Sequence, residues 1–207
     1  MPSQAMTTIV FDLGGVLIDW NPRHLYRKLH SDERAIDEFL VEVDFAGWNA
    51  GMDRGRPMAD GVRELKQQFP HRAEWIDAWM QRWRESLSGP IPGTVAILEE
   101  LREAGFPLMA LSNWAADTFA SVRGDYPFLA HFEHIVLSGE ERVIKPDPEI
   151  FRRLLKRIGR RAEECLFIDD VAANVAAAQS LGFDVIQFRT PEQLRQELVR
   201  RRILGSE

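Results

Sequence analysis

A small set of polar residues stands directly after apolar runs. Asp12 follows Thr8-Ile9-Val10-Phe11, Ser112 and Asn113 follow Pro107-Leu108-Met109-Ala110-Leu111, and Asp169 with Asp170 follows Leu166-Phe167-Ile168. Lys145, next to Pro146, precedes a helical pattern. If the apolar runs are parallel strands, their carboxyl ends are where an open sheet binds ligands. A single Asp or Ser there often does no more than cap the next helix; repetition at several strand ends argues for a site. Carboxylates suit Mg²⁺, a hard cation that prefers oxygen ligands and would let an anionic nucleophile approach a phosphoryl group. Ser112, Asn113 and Lys145 could donate to the equatorial phosphoryl oxygens. The chemistry so outlined is attack by a carboxylate, an aspartyl-phosphate intermediate and its hydrolysis.

The elements that must position these residues are legible as an alternating pattern. Two further apolar runs, Ile135-Val136-Leu137 and Val185-Ile186-Gln187-Phe188, complete a set of strands whose continuous apolar character suits a sheet covered on both faces. Helical stripes lie between them: Ile97, Leu98, Leu101 and Ala104, stopped by Gly105; Ile150, Phe151, Leu154, Leu155 and Ile158 after an Asp147-Pro148 start; Val171, Val175 and Ala178, closed by Gly182; and Leu194 and Leu198 after Thr190-Pro191-Glu192-Gln193. The alternation predicts an α/β, Rossmann-like, doubly wound parallel sheet. Residues from about 22 to 88 break the rhythm, with helical patterns such as Phe39-Leu40-Val43 and Val62-Leu65-Phe69 and no convincing strand. Trp75, Trp79 and Trp83 recur there every four residues and read as helix packing. The expected organisation is a core of residues 1–20 and 89–207 interrupted by a helical-bundle cap of residues 21–88.

Composition bounds the rest. The chain has 207 residues, and at roughly 150 residues per domain it falls between one domain and two, as an interrupted core would. With 45% apolar and 28% charged residues it is neither low-complexity nor disordered in type. A formal net charge of -6 gives no general electrostatic case for nucleic acid, and Arg200-Arg201-Arg202 reads as a solvated helix end. The lone Cys165 stands in an apolar run and reads as a buried thiol. No apolar stretch approaches a membrane span and no signal pattern opens the chain, so a soluble, cytoplasmic protein is expected. None of His24, His30, His71, His131 and His134 stands in a zinc spacing, and surface positions are expected for them.

Taken in order, Phe11-Asp12-Leu13-Gly14-Gly15-Val16-Leu17, Leu111-Ser112-Asn113, Lys145-Pro146-Asp147-Pro148-Glu149-Ile150-Phe151 and Phe167-Ile168-Asp169-Asp170 with Asn174 resemble the four motifs of the haloacid dehalogenase (HAD) superfamily. The resemblance implies a Rossmann-like core with a helical cap inserted after the first strand. It implies Asp12 as nucleophile, and Ser112 with Lys145 as phosphate ligands. It further implies Mg²⁺ held by the Asp12 carboxylate, the Gly14 backbone carbonyl and Asp170, with Asp169 and Asn174 ordering the metal's surroundings. Phosphatases of this superfamily usually carry an Asp two positions after the nucleophile, as general acid and then general base; here that position is Gly14. Loss of such a group typically costs ~10²–10⁴-fold. The Asp-Leu-Gly form is similar to that of phosphatases acting on hexose 1-phosphates, whose anomeric oxygen is a better leaving group than an ordinary alcohol.

The expected function is therefore Mg²⁺-dependent hydrolysis of a small phosphorylated metabolite, with a sugar phosphate as one class. Two alternatives stand beside it. One is a metal-free dehalogenase, although such enzymes resemble this chain less where Gly14, Val16 and Asp169-Asp170 stand. The other is a protein that binds phosphorylated ligands with little turnover, because Gly14 removes the acid-base group. Selectivity is expected from the cap, which would close over the site. Its candidate contacts are Asp19, Trp20 and Asn21 at the cap entry, Trp48, Asp53, Arg54 and Arg56 in a loop-like Gly-rich stretch from Gly47 to Gly55, and Trp114 beyond the Ser112-Asn113 pair. For each Trp, packing between cap and core is as good a reading as ligand contact. Asp53 or Asp19 could stand in for the missing acid.

Overall fold

A computed structural model describes residues 7–205. Strand β1 (Thr8–Phe11) is followed by the short β2 (Ile18–Trp20). A helical insertion follows: α1 (Pro22–Tyr26), α2 (Glu33–Glu42), α3 (Phe45–Asp53), α4 (Met58–Gln68) and α5 (Ala73–Arg82). The chain returns through β3 (Leu87–Pro90) and continues as α6 (Pro92–Glu103), β4 (Leu108–Ser112), α7 (Ala116–Val122), β5 (His134–Leu137) and α8 (Ser138–Glu141). Last come α9 (Pro148–Ile158), β6 (Cys165–Asp169), α10 (Ala172–Ser180), β7 (Asp184–Gln187) and α11 (Pro191–Arg200).

Five strands form one parallel sheet in the order β5-β4-β1-β6-β7. The strand order reverses beside β1, so β1 occupies the centre and its carboxyl end opens on the switch point. Successive side chains alternate between two apolar layers. Ile9, Phe11, Ala110, Leu166 and Ile168 pack with Leu98 and Leu101 of α6 and Leu194 and Leu198 of α11. Val10, Leu111, Cys165 and Phe167 pack on the other side with Phe151 and Leu154 of α9 and Ala178 of α10. Helix starts follow the sequence signals: the Asp147 carboxylate accepts from Glu149 N at 2.9 Å, and the Thr190 hydroxyl accepts from Gln193 N at 3.2 Å.

The insertion has its own core, in which Tyr26 stacks on Trp75 and Trp79 while Phe39, Phe45 and Met52 fill the spaces between. Antiparallel β2 and β3 pair where the chain leaves for this bundle and returns from it. Trp83 is packed against both the cap cluster and a core layer, and so joins the two.

Several local expectations are corrected. The stretch from Gly47 to Gly55 is not a loop: α3 runs to Asp53, started by the Asp44 carboxylate, which accepts from Gly47 N. Its glycines serve close approach, since a Cβ at Gly47 would meet the Asp44 carboxylate at 2.2 Å. A strand, β3, does begin inside the segment expected to have none, because Leu87 pairs with Trp20. Val171 is exposed rather than part of a buried stripe, because it precedes α10 as its N-cap. Arg201 is tied to Glu197 and Asp184 rather than simply solvated. The histidines are less free than surface positions suggest: His24 meets Asp19, His71 meets Glu42, His131 meets Glu99, and His30 stacks on Trp75 at 3.6 Å. Cys165 is buried as expected, and burial pushes its thiol up to about 12.

Candidate active site

The three central strands end side by side, which brings Asp12, Ser112 and Asp169 to one edge of the sheet. Lys145 enters from the loop between α8 and α9 and is completely enclosed. Its ammonium lies 2.9 Å from Asp12 Oδ1 and 2.7 Å from Asp169 Oδ2, and donates to the Leu111 carbonyl at 2.8 Å. All three ammonium protons are thereby engaged, so its position is fixed in every direction. Burial works against the lysine charge, but the Asp12 and Asp169 carboxylates outweigh it and hold its pKa above the ordinary lysine range.

The two buried acids are held differently. Asp169 has no free edge: Oδ1 accepts from Val171 N and Asn174 Nδ2 at 2.8 and 3.0 Å, and Oδ2 from Lys145 and Asn174. It acts on Lys145 and the β6–α10 turn rather than on the cavity. Asp12 takes the Lys145 ammonium and the Leu13 N–H on Oδ1 alone. Among the described residues no hydrogen bond reaches its Oδ2. Burial raises the Asp12 pKa, opposed chiefly by Lys145. Asp170 is also raised, by burial first and then by Asp169.

A cation site is implied by this balance of charge. Oxygen atoms of Asp12, Asp169 and Asp170 lie within 4.8 Å of one another, and the Lys145 ammonium pairs with only two of these three carboxylates, Asp12 and Asp169. The donor set is all oxygen, which fits Mg²⁺. The turn after Asp12 is shaped for it: Gly15 has φ +76°, and a Cβ there would lie 2.5 Å from Asp170 Oδ2. Only glycine lets Asp170 approach so closely. Gly14 is not constrained in this way, for a Cβ would meet nothing nearer than Trp20 Cβ at 3.8 Å.

Above these groups lies a cavity of about 610 Å³ between core and cap. Asp12, Gly14, Ser112, Asn113, Lys145, Asp170 and Asn174 line its floor, and Trp20, Asn21, Asp53 and Trp114 line its walls. The Asn113 side chain donates to the Lys145 carbonyl at 3.0 Å and accepts from Lys145 N at 2.8 Å, so it locks the lysine loop. The remaining candidates lie elsewhere. Asp19 faces His24, the Trp48 indole donates to Gly61 O inside the cap, Arg54 is exposed, and Arg56 binds Glu64 and the Trp48 carbonyl. Asn49 and Ala50 line the cavity without having been singled out from the sequence. Once 45–53 is a helix, their spacing from Asp53 puts them on one face with it, which was the available signal.

A family model described as haloacid dehalogenase-like hydrolase matches residues 6–182. The chain belongs to that family. A sesquiterpene phosphatase from Aspergillus oryzae is 28% identical over 84% of this chain and 85% of its own length. A HAD family enzyme from Bacteroides thetaiotaomicron has the same fold, with TM-score 0.73, 22% identity and coverage of 94% of this chain and 99% of that one. A mutant of that enzyme has been solved with magnesium and inorganic phosphate, at TM-score 0.66, 24% identity and 89% and 95% coverage. An L-2-haloacid dehalogenase from Xanthobacter autotrophicus shares the fold too, at TM-score 0.64, 21% identity and 97% and 85% coverage. Among the described residues no helix is long and apolar enough to cross a membrane.

Proposed function

We propose that this HAD-family hydrolase is a magnesium-dependent phosphomonoester hydrolase with Asp12 as nucleophile. The observation that carries the reading is the clustering of Asp12, Asp169 and Asp170 at the floor of a cavity, with the Lys145 ammonium paired to the first two. Asp12 Oδ2, without a hydrogen bond, attacks phosphorus while Lys145 and Leu13 N–H hold Oδ1 and fix the carboxylate plane. The P–O bond to the alcohol breaks as the Asp12–phosphorus bond forms, the alkoxide takes its proton from water, and a second water attacks phosphorus and breaks the Asp12 Oδ2–P bond, regenerating Asp12 and releasing phosphate. Asp12, Asp170 and the Gly14 carbonyl would hold Mg²⁺, which would supply neutralisation of phosphoryl charge. Ser112, at the end of β4 on the cavity floor, is placed to donate to a phosphoryl oxygen, while Asn113 and Asp169 keep Lys145 in place.

The similarity to a sesquiterpene phosphatase and to an enzyme solved with magnesium and phosphate supports this reading. Sugar phosphates, the class suggested by the Asp-Leu-Gly motif, share the same phosphoryl end, and the alcohol end is decided by the cap. The dehalogenase alternative is disfavoured by Asp170, a third carboxylate beside Asp12 and Asp169 for which metal-free chemistry has no use.

The test is phosphate release from p-nitrophenyl phosphate with and without Mg²⁺, alongside halide release from 2-chloropropionate. The expected outcome is hydrolysis that requires Mg²⁺ and falls about 10³-fold or more in Asp12→Asn. Metal-independent halide release would replace the proposal with the dehalogenase reading. Tight phosphate binding without turnover would replace it with the binding-protein reading.

A further inference from the structure

The cap wall of the cavity differs in kind from its floor. Helix α3 turns Ala46, Asn49, Ala50 and Asp53 toward the cavity, the one-face spacing of a helix. Ala46 and Ala50 make room, and Met58, Trp20, Trp114 and Ile144 surround that room with apolar surface. Part of the hydrogen-bonding capacity of the walls is already taken up. Asn49 Nδ2 donates to Asp53 Oδ2 at 3.0 Å, and Ala115 N–H donates to the Asp53 carboxylate. Thr118 donates to Ala115 O at 3.0 Å, and the Asn21 carbonyl oxygen caps α1. Trp79 also lines the cavity, and its buried indole N–H has no partner. Among the described residues no arginine or histidine lines the cavity, and the only cation there is Lys145 on the floor.

Resting on the phosphatase reading, we infer that the cap selects phosphate monoesters of apolar alcohols, with the hydrocarbon part lying between α3, Trp20 and Trp114. A polyol placed there would bury hydroxyls against Ala46, Ala50, Met58 and Ile144, whose side chains offer no N–H, O–H or carbonyl partner, at a cost of about tenfold or more in affinity for each hydroxyl left unpaired. A second anionic group on the substrate would find no cation. A hydrocarbon loses nothing and gains about fourfold for each methylene removed from water. The cavity volume is within the usual range for a small-molecule site, and orthophosphate alone would leave most of it unfilled.

A homologous series tests the inference: n-alkyl phosphates from ethyl to octyl below their micelle-forming concentrations, glucose 1-phosphate, and p-nitrophenyl phosphate, all with Mg²⁺. The expected result is a kcat/KM that rises about 3- to 4-fold per methylene up to at least hexyl phosphate. Octyl phosphate should exceed glucose 1-phosphate by at least about 100-fold. A flat series, or a preference for glucose 1-phosphate, overturns the inference while p-nitrophenyl phosphate turnover leaves the phosphatase reading standing. If no ester is hydrolysed, that reading fails, and calorimetric binding of octyl phosphate against glucose 1-phosphate to Asp12→Asn still decides the ligand class in the same direction. Ala50→Leu should move the chain-length optimum to a shorter alkyl group. Equal loss along the whole series would show that α3 is not the wall.

Discussion

The floor and the roof of the cavity are built on opposite principles. On the floor, charge is buried and paired: Lys145 is fully enclosed, and its three partners fix it from three sides. In the roof, charge is kept out, and aromatic packing among Tyr26, Trp75, Trp79 and Phe45 sets the shape. The difference teaches that a floor substitution changes the energy of an ion held in low dielectric, which is large, whereas a roof substitution changes the volume and surface offered to an alcohol, which is smaller and graded. Asp53 is the exception. It is a carboxylate in the roof, and burial pushes it up to about 7 against its bonds to Ala115 N–H and Asn49.

The hardest challenge to this contrast is Lys145→Met. It leaves Asp12 and Asp169 buried without a counter-charge, so stability should fall by about 3–5 kcal/mol at pH 8, together with activity. Asp12, which burial already raises against the pull of Lys145, is then raised further in the folded state. Such a group binds more protons folded than unfolded, so stability declines as pH rises and recovers on acidification. Urea unfolding at pH 5 and pH 8 reads this directly. A loss independent of pH would mean that Lys145 contributes packing rather than charge.

Gly14→Asp probes the boundary between floor and roof. The position accepts a Cβ, and the new carboxyl would supply a proton donor for the leaving oxygen. Turnover of n-hexyl phosphate should rise about 10- to 100-fold, while p-nitrophenyl phosphate, whose leaving group needs little protonation, should change far less. Equal effects on the two esters would count against a missing acid at this position.

Asp53→Asn tests the roof. Burial pushes Asp53 up to about 7 in the folded state against ~3.9 unfolded, so the folded state holds the extra proton between those values and loses stability as pH climbs through that window. Asparagine does not titrate there. The variant's advantage over wild type should therefore grow by about 2–3 kcal/mol from pH 5 to pH 8 in denaturant titrations. A constant difference would place the Asp53 carboxylate outside low dielectric and weaken the picture of an uncharged roof.

The two regions also differed in how far the sequence could be read. Each sheet strand is a run of apolar residues that must be covered on both faces, and each motif residue follows its strand by chain connectivity, so β1, β4 and β6 and the residues at their ends were legible directly. The Asp147-Pro148 and Thr190-Pro191 helix starts were legible for the same local reason. In the cap, local signals misled. Gly47, Gly51 and Gly55 suggested a loop, but α3 forms because Gly47 lets the Asp44 carboxylate approach and Gly51 lets the Arg56 guanidinium approach. Those partners lie along the chain in ways that no single-residue preference encodes. Trp48, Arg54 and Arg56 fell away from the cavity once the helix turned them elsewhere, and Asn49 and Ala50 came to it.

By itself the sequence determined the order of strands and helices, the helical insertion after the first strand, and the residue types set at the sheet edge. These follow from periodicity and from the covalent adjacency of Asp12, Ser112 and Asp169 to their strands. Only the tertiary structure decided that Asp169 and Asn113 spend their polar atoms on Lys145 and its loop, that Asp12 keeps one oxygen free, and that the roof is apolar. The physical reason is that partnership in a buried hydrogen-bond network depends on which elements pack together. That is settled by the burial of two sheet faces and one helical bundle, not by any residue's neighbours in the chain.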